Sequence, residues 1–114
     1  ENSRGIISKN ELSIMKPSSY LINTSRGPIV NEKDLIFALE HNMIAGAGLD
    51  VFDTEPLPKD HALMQLSNVV LSPHLGYVTQ ENYELFYGES VQNIMAYLKN
   101  KPINVLNPNA LESS

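Results

Sequence analysis

Tyr20-Leu21-Ile22-Asn23 is a short apolar run that breaks into the polar turn Thr24-Ser25-Arg26-Gly27-Pro28. Two further runs, Ala45–Asp50 and Val69–Ser72, end in the same way, and Glu55 and His74 follow them. Such near-continuous apolar runs, set between helix-like segments, are the mark of strands in a parallel sheet covered by helices. Ligands of open parallel sheets bind outside the carboxyl ends of the strands. The spacing therefore predicts that Arg26, Glu55 and His74 gather along one rim of one sheet.

The segments between the runs read as helices. Ser8 and Glu11 have the reciprocal capping-box spacing, with Leu12 and Met15 on one face and Pro17 as a stop. Asn31 caps a second helix, with Glu32 and Asp34 in its first turn. Val30 and Leu35 have the spacing of a hydrophobic staple, Leu35, Ile36 and Leu39 face the core, and the helix ends near His41. Thr79 opens a third helix, to Asn100, in which Tyr83, Phe86, Tyr87, Val91, Ile94, Met95 and Leu98 recur at steps of three and four. Residues 101–114, with Pro102 and Pro108, read as a tail. The fold class is α/β: a partial doubly wound, Rossmann-like parallel sheet of three strands with flanking helices and a long C-terminal helix.

Composition narrows the function classes. The 114 residues carry a net charge of −5, from 13 acids against 8 bases, without a block of either sign. Nucleic acid is not an expected partner, because phosphate neutralisation needs clustered cations. There is no cysteine, so no disulfide, thiolate nucleophile or cysteine-based zinc site can form. His41, His61 and His74 show no metal-ligand spacing, and no metal is expected. The longest apolar stretch, Leu35–Leu39, is far short of a membrane span, and a cytoplasmic location without membrane association is expected.

The three rim residues suit one chemistry. A guanidinium grips a carboxylate with two parallel hydrogen bonds. Histidine is the usual acid/base near neutrality, and a carboxylate on its other ring nitrogen fixes the tautomer. Arg26, Glu55 and His74 together suit a carbonyl beside a carboxylate. No glycine-rich phosphate loop precedes the strands. Gly46-x-Gly48-x-x-Val51 lacks the third glycine and opens no helix, so its glycines are expected to let a strand pack tightly between helices.

Four linked stretches carry a resemblance. Met15-Lys16-Pro17 with Leu21–Gly27, Gly46–Phe52 running on to Glu55-Pro56, and Asn68–Gly76 together resemble the D-isomer-specific 2-hydroxyacid dehydrogenases. The resemblance implies that Arg26 holds substrate, that His74 is the acid/base and that Glu55 pairs with it. It implies that Asp50 contacts the nicotinamide end of NAD, NADP being open, and that Thr24, Ser25, Arg26, His74 and Gly76 line the same pocket. Hydride transfer between NAD(H) and C2 of a small 2-hydroxy or 2-keto acid is the implied activity.

The same resemblance implies a domain plan. Residues 1–100 correspond to the second half of an NAD-binding domain, and 101–114 to the return toward a substrate domain. The glycine-rich loop and the substrate domain of the family have no counterpart in the chain. Alone it is expected to bind NAD weakly or not at all, to be inactive, and to form a homodimer or larger assembly. Tyr77-Val78 stand where many members carry smaller residues.

Two other readings stay open. A non-catalytic binding or corepressor module could use the same scaffold. Ser25, Glu55 and His74 also run in the chain order of an α/β hydrolase. There, however, Asn23 stands in place of the first glycine of the nucleophile elbow, and Pro28 sits where its helix should start.

Overall fold

A computed structural model describes residues 3–111. The chain divides into two compact units, one up to Gly76 and one from Tyr77 onward.

The first unit holds β1 (Tyr20–Asn23), β2 (Gly46–Leu49) and β3 (Val69–Leu71), hydrogen-bonded in that order and parallel throughout. The register sets Tyr20 beside Gly46, Ile22 beside Gly48 and Leu49 beside Leu71. Helix α1 (Lys9–Ile14) starts at the expected box: the Ser8 N–H donates to Glu11 Oε2 at 2.9 Å. Helix α2 (Glu32–Glu40) starts at Asn31, whose Oδ1 accepts the Asp34 N–H at 3.2 Å. At its far end His41 lies over Phe37, ring centroids 4.0 Å apart, with Nδ1 2.8 Å from the Phe37 carbonyl. Parallel strands need a long crossover, and β2 reaches β3 by a loop with one 3-10 turn, Ala62–Gln65, instead of an α-helix.

Leu12 of α1 and Leu35, Ala38 and Leu39 of α2 form one buried cluster with Leu21, Ala47 and Leu49 of the sheet. Both helices therefore serve the same sheet face. Coverage of both faces, expected from the apolar strands, is not found in this unit. Tyr20, Ile22 and Val70 on the other face are 69%, 68% and 74% exposed. The apolar side chains at alternate positions belong to a surface that these two helices leave open.

Gly46 and Gly48 are close-packed, but against the sheet and its flanking loop and not between helices. A Cβ on Gly46 would lie 2.5 Å from the Asn68 carbonyl and 3.1 Å from the Tyr20 ring; one on Gly48 would lie 2.9 Å from Ile22.

The second unit is built on α3 (Gln80–Leu98), whose N-terminus is capped by Thr79 Oγ1 accepting from the Asn82 N–H at 3.2 Å. Nineteen residues make it roughly 28 Å long. None of its residues is buried. Tyr83 and Tyr87 stack one turn apart, ring centroids 5.6 Å apart. A 3-10 turn, Pro108–Leu111, interrupts the tail.

Candidate active site

The ends of β1, β2 and β3 lead into the segments that carry Arg26, Glu55 and His74, and the sheet is parallel, so all three leave from its carboxyl rim. Glu55 and His74 meet. His74 Nδ1 lies 2.7 Å from Glu55 Oε2, with both side chains about one-third exposed. The other carboxylate oxygen of Glu55 accepts the Phe52 N–H at 2.9 Å. Glu55 is thereby held by its own loop while it holds the ring. These bonds, that from His74 first and that from Phe52 next, keep the Glu55 carboxyl below the usual glutamate range, and the positive charges of His74 and Arg26 act in the same sense.

His74 is placed by an unusual backbone. Its N–H donates to the Ser72 carbonyl at 3.0 Å in a three-residue turn around Pro73. Its φ of 57° lies in the left-handed region, which costs a non-glycine residue on the order of 1 to 3 kcal/mol. Asp50, at the end of β2, secures that conformation. Its Oδ1 accepts the Leu75 N–H at 2.8 Å and its Oδ2 the Gly76 N–H at 2.7 Å. Successive N–H groups converging on one anion form a nest, here filled by the protein's own carboxylate.

Asp50 is only 6% exposed. Hydrogen bonds from the Ser72 side chain and the Leu75 N–H lead the effects that hold its carboxyl below the ordinary aspartate range. A Cβ on Gly76 would stand 3.0 Å from Asp50 Oδ2. The glycine thus lets the backbone come down onto Asp50, a reason that the resemblance did not supply.

A cleft of about 600 Å³ runs beside the pair, with Glu55 and His74 among its lining and Phe52, Leu57, Met64 and Leu71 as its apolar wall. Arg26 is not among the lining residues. Its Nη1 donates to the Ser25 carbonyl at 2.7 Å, and it borders a smaller hollow of about 220 Å³ with Arg4 and Pro28. The turn that carries Arg26 is nevertheless wedged against the Glu55 loop. A Cβ on Gly27 would lie 2.1 Å from the Phe52 carbonyl carbon and 2.7 Å from the Asp53 nitrogen. Asn23, buried at the end of β1, ties the turn with its side chain, accepting from the Ser25 N–H and donating to the Arg26 carbonyl. Thr24 and Ser25 are exposed on that turn.

Sequence reasoning missed Asn23, Gly27, Glu32 and His61 as supports. Asn23 and Gly27 sit inside a quoted motif and could have been suspected. Glu32 and His61 lie 29 residues apart with no motif between them. Among the described residues, no cluster of His, Cys, Asp and Glu could hold a metal ion, and no helix is long and apolar enough to cross a membrane.

Residues 1–76 match the NAD binding domain of the D-isomer specific 2-hydroxyacid dehydrogenases. The chain is 45% identical over 112 residues to a glyoxylate/hydroxypyruvate reductase B of Enterobacter agglomerans, covering 97% of itself and 35% of that relative. It is similar to the crystal structure of a putative D-3-phosphoglycerate dehydrogenase from Ralstonia solanacearum, with TM-score 0.89 and 39% identity over 97% of this chain and 32% of that one. An NADPH-dependent glyoxylate/hydroxypyruvate reductase from Sinorhizobium meliloti gives TM-score 0.74 and 33% identity, over 90% of this chain and 34% of the other. The chain spans about a third of the length of the relatives it matches. It belongs to the D-isomer specific 2-hydroxyacid dehydrogenase family, through that family's NAD-binding domain.

Proposed function

We propose that the chain supplies the proton-transfer side of the active site of an NAD(P)-dependent reductase of small 2-keto acids, with glyoxylate and hydroxypyruvate as the first candidates. The observation that carries the reading is the 2.7 Å contact between His74 Nδ1 and Glu55 at the carboxyl rim of a parallel sheet. Residues 1–100 act in this reading as the second half of a cofactor domain, and 101–114 lead back toward a substrate domain. Relatives named as glyoxylate/hydroxypyruvate reductases support the substrate class.

The residues present fit the reactive end of a nicotinamide cofactor. Apolar side chains (Phe52, Leu57, Leu71) and a polar pair (Glu55, His74) line one cleft large enough for a planar ring. When bound, the cofactor supplies the hydride for C2. Every proton step is the chain's own work. Glu55 accepts a hydrogen bond from Nδ1–H and fixes the ring, so that the imidazolium of His74 delivers its Nε2 proton to the substrate carbonyl oxygen and is left neutral. The positive imidazolium so stabilised by Glu55 also favours the developing alkoxide. Arg26 swings its guanidinium from the Ser25 carbonyl to the substrate carboxylate, a move its exposed position permits. In this reading Thr24, Ser25 and the Gly76 backbone meet the cofactor outside the cleft's own lining, and Asp50 keeps the His74 turn in place beside the nicotinamide.

The test uses the whole enzyme with a panel of 2-keto acids and NADH or NADPH. His74→Ala is expected to lower kcat by about 10² to 10⁴-fold, and Arg26→Ala to raise KM for the keto acid. Full turnover by His74→Ala would end this reading, and absence of turnover in the unsubstituted enzyme with every keto acid would favour a binding module on the same scaffold.

A further inference from the structure

We propose that Glu32 and His61 are positioning residues for the Glu55–His74 pair, an inference that rests on the functional reading of that pair. Glu32 is the first residue of α2, where its charge also meets the positive end of the helix dipole. Its two carboxylate oxygens point away from the helix into the loop that carries Glu55. Oε2 accepts the Asp53 N–H at 3.2 Å, and Oε1 lies 3.1 Å from His61 Nε2. The second ring nitrogen of His61, Nδ1, accepts the Leu63 N–H at 3.3 Å at the start of the 3-10 turn. An accepting Nδ1 leaves the proton on Nε2, so the imidazole donates to Glu32 at one end and caps a turn at the other. That turn is itself rooted in the core, because Leu63 is fully buried.

One carboxylate therefore grips the loop on both sides of Glu55: at Asp53, two residues before it, and at His61, six residues after it. Between the grips lie Pro56 and Pro58, which donate no backbone hydrogen bonds. A short ion-paired hydrogen bond depends steeply on distance, so a loop outside any sheet or helix must be tied down to hold one. Neither Glu32 nor His61 lines the cleft. They act on the chemistry only through the position of Glu55.

The experiment follows the His74 Nδ1–H signal in nitrogen–proton NMR spectra of this chain, with Glu55→Ala marking its complete loss. Glu32→Ala and His61→Ala are each expected to speed exchange of that proton about tenfold, while the amide signals of β1–β3 stay dispersed. His61→Gln, which keeps an N–H donor and a carbonyl acceptor, is expected to restore at least half of the protection. Unchanged exchange in both alanine variants overturns the proposal, as does equal loss in His61→Ala and His61→Gln. If Glu32→Ala unfolds the chain, the His61 pair alone decides.

In the whole enzyme, under conditions where circular dichroism shows the variant fully folded, Glu32→Ala is expected to lower kcat about tenfold with KM for the keto acid within twofold. Absence of reductase activity in the unmodified enzyme would remove the functional reading, while the NMR result would still decide whether Glu32 and His61 position Glu55.

Discussion

Glu55 is bound on both oxygens, by a ring nitrogen and by a backbone N–H, and both bonds favour its ionised form. A carboxyl held below its ordinary range in the folded state contributes stability that is fully present above the unfolded value. That contribution is lost as pH falls through the lower folded value. Asp50 obeys the same sign, with Ser72, Leu75 and Gly76 as its donors. Stability in acid, followed by circular dichroism, should therefore start to fall as pH drops through the ordinary carboxylate range and go on falling below it. Glu55→Gln and Asp50→Asn should each flatten the acid limb, with little change in its course above neutrality. An acid limb identical to the unsubstituted chain in both variants would show that these bonds do not form. Asp50→Asn has a second consequence, because an amide offers one acceptor oxygen for two N–H groups. One of Leu75 and Gly76 then loses its partner, and the left-handed His74 loses part of its hold.

At the scale of elements, the site is a joint between connections. Gly27, at the start of a 3-10 turn after β1, lies against Phe52 and Asp53 after β2. Gly27→Ala puts a methyl group into backbone that has no room, and the two connections must separate. We expect a loss of about 1 to 3 kcal/mol in urea unfolding, with weakening of the Glu55–His74 contact; an unchanged midpoint would contradict the packing. Asn31 tests a second support of the same connection, because Glu32 beside it accepts the Asp53 N–H. Removing its cap with Asn31→Ala should cost about 1 kcal/mol and disturb Glu32 in the adjoining turn.

Over the whole molecule, exposed apolar surface is the outstanding physical fact. Tyr20, Ile22 and Val70 form a patch on one sheet face of the first unit, and in the second unit Phe86, Tyr87 and Leu98 of α3 are exposed. Large contiguous apolar patches drive association, and free strand edges add to the tendency. Light scattering at micromolar concentration should give a mass above one chain. Substituting Ile22 and Val70 by threonine, which keeps β propensity, should bring it down. A monomer before substitution would show that these faces do not associate.

Much of this was decided locally and could be read along the chain. Caps such as Ser8 with Glu11 and Asn31 with Asp34 act over three residues, and the apolar runs ending at Asn23, Asp50 and Ser72 mark strands with no need of a partner. From those strand ends, the rim that collects Arg26, Glu55 and His74 follows from parallel topology. Only the tertiary structure decided which rim residues touch. Glu55 binds His74 across 19 positions, Asp50 holds Gly76 across 26, and Glu32 meets His61 across 29. It also decided that Arg26 rests on its neighbour's carbonyl, and that both early helices serve one sheet face. Contacts at such separations depend on where loops close in space, and no periodicity or propensity records that.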